Sequence, residues 1–136
     1  MNTILRGILA VIAGVLVGGF VNMGILSLGN QVIALPAGAD MTSVESMKQT
    51  MHLFGPRHYV TPFLAHALGV FVGALLASLI AASHNFKFAI AIAGFFLLGG
   101  ITAAFLLPAP AWFIAVDLIL AYIPMGWLGW KLSRKG

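Results

Sequence analysis

The chain contains no cysteine and very little charge. The first absence excludes disulfides, thiolate metal ligands and every thiol-based mechanism, and leaves the redox compartment unread. The second is more telling. Only 7% of the 136 residues are charged, whereas a soluble domain carries about 25%. So few charges cannot clothe a globule in water. Acids are the scarcest, with three Asp and Glu against seven Lys and Arg. A net charge of +4 raises nucleic acid as a partner. The basic residues are scattered rather than gathered in a stripe, which argues against nucleic acid and for membrane orientation. Phosphate loops, nucleophile elbows and metalloprotease helices are also missing.

What the chain has instead is apolar length. Hydrophobic residues make up 61% of it, and the mean hydropathy is +1.06. A bilayer core of about 30 Å needs roughly 20 apolar residues in a helix. Four runs meet that need, at about 4–28, 61–82, 86–107 and 111–130. Backbone groups in lipid must be paired within the segment, so the runs are expected to be helices. Thr61-Pro62 offers an N-cap followed by a first-turn proline. The small-residue triplet Ala37-Gly38-Ala39 resembles a signal-peptide cleavage site. It lies well past a run too long for a signal h-region, so the first run reads as a retained helix.

The connections set topology. His84-Asn85 and Pro108-Ala109-Pro110 are short links, which makes the spans they join antiparallel neighbours. With both termini inside, Arg6, Lys87, Lys131, Arg134 and Lys135 fall on the inner side, against Lys48 and Arg57 outside. That excess favours an N-in, C-in arrangement. Trp127 and Trp130 then lie at the inner interface, and Trp112 near the outer one.

Residues 30–60 form the sizeable extramembrane segment. Thr42-Ser43-Val44-Glu45 matches a capping box, and Val44, Met47, Met51 and Phe54 recur at helical spacing. The expectation is one amphipathic helix over about 43–54, lying on the outer surface or on the bundle. Met47 and Met51 beside His52 have the softness of Cu(I) ligands. The simpler reading is an apolar stripe with methionine as filler.

Comparing depths brings out a polar layer. Asn22, His66, Thr102 and Asp117 each lie about five or six residues from the outer end of their span. At the helical rise this is roughly 7–9 Å below the boundary. Asn22 shares a face with Gly14 and Gly18, and His66 with Gly69, Gly73 and Ala77. Asp117 stands above Ala121 and Pro124, and Thr102 is three residues from Gly99. Small residues at this spacing mark helix contacts, so all four side chains are expected to face inward. Asp117 is the one acid within a span, and a charge there costs about 2.5–3.5 kcal/mol near the bilayer centre. It therefore needs a partner, for which His66 is the nearest candidate.

Two readings of the layer compete. In one, Asp117 and His66 form a buried pair that fixes helix packing. In the other, Asn22, His66, Thr102 and Asp117 line an outward-facing pocket for a small ligand, ion or proton, with Glu45, His52, Arg57 and His58 at its entrance. A metal version of the second reading gathers His52, His58 and Glu45 from separate segments without any local ligand spacing.

The segments PFLAHALGVFVGALLASLIAA, GFFLLGG and AYIPMGWLGWKL resemble a group of small four-helix proteins of the bacterial inner membrane with no assigned activity. The resemblance spans nearly the whole chain, including MHLFGPRHYV, and implies a location but no functional residues. Small multidrug exporters differ in carrying a glutamate in the first helix, and vitamin K epoxide reductase-like bundles in carrying cysteine pairs.

The expected fold is therefore all-α, a single transmembrane domain with a four-helix bundle and one external interfacial helix. Its expected partners are the lipid bilayer, further copies of itself, and a small ligand or ion whose identity and cofactor class the sequence does not give. The Gly14/Gly18 and Gly69/Gly73 faces suit contacts either within one chain or between copies. Three function classes remain in view: a small transporter or ligand-binding protein, an accessory subunit of a larger membrane complex, and a lipid-acting enzyme using Asp117 and His66 as acid and base.

Overall fold

A computed structural model describes residues 2–134, so Lys135 of the inner basic group lies outside the described residues. Helices dominate, and no strand occurs among the described residues. The elements are α1 (Thr3–Val32), α2 (Val44–Thr50), α3 (Val60–Ile80), α4 (Asn85–Leu106), α5 (Ala111–Leu120) and α6 (Ile123–Ser133). Four stretches are long and apolar enough to cross a membrane: Thr3–Val32, Pro56–Ile80, Asn85–Leu106 and Ala111–Ser133. The protein is thus all-helical, with four apolar helices consistent with a multi-pass membrane protein.

Helix α3 is the spine, packing against α1, α4 and α6. Glycine makes the α1–α3 contact possible. A Cβ added to Gly73 would stand 2.6 Å from the carbonyl oxygen of Gly14, and one added to Gly18 would stand 2.8 Å from that of Gly69. The two backbones therefore touch directly, the close approach that small residues allow where lipid supplies no hydrophobic drive. Both glycine pairs make their contacts within one chain, the first of the two uses open to them. Gly129 of α6 meets the Phe71 carbonyl oxygen of α3 in the same way, at 2.7 Å.

Several local expectations are refined. Helix α1 runs on to Val32, where Gly29 packs under the Thr61 side chain. Thr61 is therefore buried against α1 rather than capping α3. The chain enters α3 through a 3-10 turn at Pro56–Tyr59. The external helix is shorter than its apolar stripe. Seven residues are α-helical, followed by a 3-10 turn at Met51–Leu53. Ser43 is its N-cap, accepting from the Ser46 N–H at 3.1 Å. Thr42, expected as the cap, instead donates its N–H and hydroxyl to the Asp40 carboxylate at 3.0 and 2.6 Å. An Asx-type turn at Asp40 has outcompeted the capping box one residue on.

The fourth apolar stretch is broken. Helix α5 ends at Leu120, Tyr122 has φ −112° and ψ −81°, and α6 starts at Ile123 with Pro124 in its first turn. Pro124 has no N–H to offer the Leu120 carbonyl, so the helical ladder cannot continue through this point. Ala121 and Tyr122 are 0% and 2% exposed, so the irregular backbone is sealed within the bundle, the one setting in which it is tolerated at membrane depth.

Candidate functional site

The break in the fourth stretch positions the site. Asp117 lies on α5 just ahead of it and is 5% exposed. One carboxylate oxygen, Oδ1, is 2.8 Å from Nδ1 of His66 on α3. The other, Oδ2, accepts the Tyr122 hydroxyl at 3.1 Å. The His66 and Tyr122 rings lie face to face, with centroids 5.9 Å apart and planes 26° from parallel. Asp117 is therefore held from both sides, and His66 is oriented with Nδ1 toward the carboxylate and Nε2 left for another partner.

These groups border a cleft of about 160 Å³ reached also by Asn22 of α1 and by Phe96, Gly99 and Gly100 of α4. Glycine leaves the space open. A Cβ on Gly99 would meet nothing within 4 Å, so the α1–α4 side of the cleft is unfilled. Gly100 is needed for a different reason, because its α-carbon sits against the Tyr122 hydroxyl. Asn22 packs its Cβ beside Gly69, and its Oδ1 is buried with no hydrogen-bond partner. A second void of about 50 Å³ shares Asp117, Gly100 and Ala103 with the cleft and reaches Met51, beneath the external segment. No Lys or Arg borders either space.

Three of the four residues expected in the polar layer, Asn22, His66 and Asp117, thus meet at one cleft. Thr102 does not. It is exposed, and its hydroxyl donates back to the Leu98 carbonyl of its own helix at 2.8 Å. The buried face of α4 runs through Ala89, Ile92, Ala93 and on to Gly100, and Thr102 falls off it. Spacing from Gly99 was a poor guide, because Gly99 lines space rather than a helix contact.

The expected entrance residues are also placed elsewhere. Glu45, His52 and Arg57 are exposed and border no part of the cleft. His58 is buried, but its Nδ1 accepts the Gly55 N–H at 2.8 Å and its ring packs against Phe54. It supports the external turn and does not reach Asp117. Among the described residues no three His, Asp or Glu side chains gather where they could hold a metal ion, so the metal version of the site is not assembled. Met51 and Met47 belong to an apolar cluster with Tyr59, Phe63 and Phe113 instead of facing His52 as ligands.

Tyr122 is the functional candidate that sequence reasoning missed. Its signal was present: a hydroxyl-bearing aromatic five residues after the membrane acid, two before a proline. Without the helix break those five residues would carry the two side chains to different faces.

Chemically, the arrangement offers an imidazole at His66, a carboxyl group at Asp117, a phenol at Tyr122 and a free hydrogen-bond acceptor at Asn22 Oδ1. No Ser, Thr or Lys is among the cleft residues. The chain matches no protein-family model, no curated protein and no solved structure.

Proposed function

We propose that the chain is a multi-pass membrane protein that binds a small ligand in the Asn22–His66–Asp117–Tyr122 cleft, as a transporter or a binding protein. The observation that carries this reading is the conjunction of an intramembrane acid, a broken helix and an unfilled cleft at one place. A pair serving packing alone gains nothing from an adjoining void or from a buried acceptor left without a donor. Discontinuous helices at membrane depth mark substrate sites in transporters for the same reason that they are costly elsewhere.

The membrane placement follows from the charge pattern. Arg6, Lys87, Lys131, Arg134 and Lys135 share one side, so both termini are cytoplasmic and the cleft lies in the outer half of the bilayer. Lys131 lies over the Trp127 ring at 4.7 Å and Arg134 over the Trp130 ring at 5.1 Å. That pairing of cation and indole suits an inner interface. The resemblance of the spans to small inner-membrane proteins of bacteria points to the same membrane. The short helix α2 and its 3-10 turns sit on the outer face above the cleft, with Met51 over the void that leads to Asp117.

The test compares thermal unfolding of purified wild type and Asp117→Asn with a panel of ions and small metabolites across pH 5–8. A ligand that raises the midpoint of the wild type but not of the variant supports the site. If no compound moves either protein and the variant melts lower at every pH, the pair is packing and the reading is overturned.

A further inference from the structure

We infer that the ligand of the cleft is a small protonated amine, ammonium or a short primary alkylammonium, and that it binds in exchange for a proton on His66. This rests on the cleft being a ligand site, as proposed above, and adds its chemistry.

The charge inventory selects the sign. Asp117 is the one acid at the cleft, and no Lys or Arg borders it. An anion would meet the Asp117 carboxylate with His66 as its one counter-charge, and that ring is already bonded to Asp117. The hydrogen-bonding inventory selects the donor. Both oxygens of Asp117 are already bonded, to His66 and Tyr122. What is unused is an acceptor at Asn22 Oδ1 and the Nε2 position of His66. When His66 gives its Nδ1 proton to the Asp117 bond, Nε2 is a lone pair. An ammonium group has N–H donors that such a site can use, and the Phe96 side chain also borders the cleft. Volume sets the limit. A space of about 160 Å³ is worth roughly five water molecules at about 30 Å³ each, which admits a few heavy atoms and no more.

Exchange follows from the same inventory. The groups that face His66 are Asp117 from α5, Tyr122 from the α5–α6 break and the uncharged Asn22 from α1, and α4 contributes no titratable group. Only one positive charge can therefore be matched. It is carried either by His66 itself, with Nε2 protonated and donating, or by the ligand, with Nε2 accepting. The step balances as imidazolium–Asp117 carboxylate plus alkylammonium going to neutral imidazole–carboxylate–alkylammonium plus one released proton. No bond other than N–H changes. The His66 side chain is 28% exposed and borders the cleft, so the exchange requires that the cleft open to water.

The experiment is isothermal titration of the full chain in lipid nanodiscs with methylammonium, in two buffers of different ionisation enthalpy. Tetramethylammonium, formate and formamide serve as probes of charge without N–H, of the opposite charge and of neutral donors. Methylammonium is expected to bind with release of up to one proton, becoming about tenfold weaker per unit on the acid side of the profile. Tetramethylammonium and formate should not bind. His66→Gln, which keeps an acceptor but cannot titrate, should bind methylammonium without releasing a proton. Asn22→Leu should weaken binding about tenfold, the worth of one hydrogen bond. Binding by wild type without proton release overturns the exchange. If formamide or formate binds and methylammonium does not, the amine is overturned while the cleft stands as a ligand site. If none binds and Asp117→Asn only lowers the unfolding midpoint, the ligand site itself falls, and the amine with it.

Discussion

The half of the bundle that holds the N-terminus and the α3–α4 turn, inner under the proposed orientation, is built differently from the other, outer half. In the inner half Ala10, Ala74, Ala77, Ala81 and Ala89 surround Ile92, all at or near zero exposure. Small side chains fill the space between helices there, and the helix ends are tied by polar side chains. Arg6 donates to the Ile80 carbonyl at 2.9 Å, and Asn85 donates to that of Ala81 at 3.0 Å. The outer half holds the cleft, a smaller void and a buried acceptor without a donor, although α1 and α3 still touch there where Gly29 meets Thr61. Open space is not confined to that half, and what differs is its lining. The groove beside Ile4, Ile8, Val11 and Phe88 is mostly apolar, whereas the cleft gathers Asn22, His66, Asp117 and Tyr122.

The largest effect is expected where that contrast is sharpest. Gly73→Leu must push the Gly14 backbone away, because even the first added carbon stands 2.6 Å from its carbonyl oxygen. The cost should be about 3 kcal/mol or more, at or beyond the upper end for overpacking because neither partner is a movable side chain. Denaturant-dependent unfolding in detergent should find little folded protein. The control is Gly19→Leu on the outer surface of α1, where an added Cβ meets nothing within 4 Å. It should unfold at least as late as the wild type, because replacing an unpacked helical glycine favours the helix.

Next in size is the removal of the acid that joins α3 to the α5–α6 break. Asp117→Ala leaves the Tyr122 hydroxyl and the His66 Nδ1–H without acceptors, each a loss of about 1–3 kcal/mol when the donor stays buried. His66 is partly exposed and can find water, so the sum should fall toward about 2–3 kcal/mol in thermal or chemical unfolding. The double variant Asp117→Leu, Tyr122→Phe removes the buried donor together with its acceptor. It should recover part of that loss while remaining unable to respond to any ligand. Recovery of stability without recovery of response separates what the pair does for the fold from what it does for function.

This division between halves also explains what could be read from the chain alone. Four long apolar runs with short links are nearly sufficient to define an all-helical bundle, because composition and length act over many residues. The Asn22, His66 and Asp117 layer was legible for a similar reason, since polar groups in apolar spans stand out against their neighbours. The break at Tyr122 was not. A proline in a span can be accommodated by a kink, and only packing against α3 and α4 turns it into an ended helix that folds the Tyr122 hydroxyl back onto Asp117. Thr102 misled because a threonine in a membrane helix can satisfy its hydroxyl on its own backbone, as it does at Leu98. The entrance residues misled because charge marks exposure to water but says nothing of which surface is exposed.

A smaller change in stability, with a large change in function, is expected at Gly99. Its missing side chain faces open space, so Gly99→Ala should stabilise α4 by about 0.5–1 kcal/mol through helix propensity alone. Gly99→Leu should keep most of that gain while placing four carbons in or across the mouth of a cleft of about 160 Å³. Unfolding should be unchanged or slightly later, and ligand-induced stabilisation should vanish. Loss of stability in Gly99→Leu would mean that the α1–α4 side closes in the membrane, which would bring the outer half closer to the inner in its design.

The smallest effect concerns the outermost turn, furthest from both halves. Asp40 accepts the Thr42 hydroxyl and then the Thr42 N–H, and these bonds hold its carboxyl below the usual carboxylate value. A carboxyl with a lowered folded value supports the folded turn above its unfolded value, near pH 4 for an ordinary Asp. That support is lost as pH falls through the folded value. The Asp40 N–H also donates to Thr50 at the end of α2, so the turn anchors the short helix. Amide exchange at Thr42 and over Ser46–Thr50 should therefore speed up on acidification below about pH 4, while amides of α3 stay protected. Asp40→Asn retains an acceptor but no charge, and should flatten that pH dependence without altering exchange at neutral pH by much. If acid instead released α3 and α2 together, the external segment would be part of the bundle's cooperative unit, and its position over the Met51 void would be fixed rather than free to open.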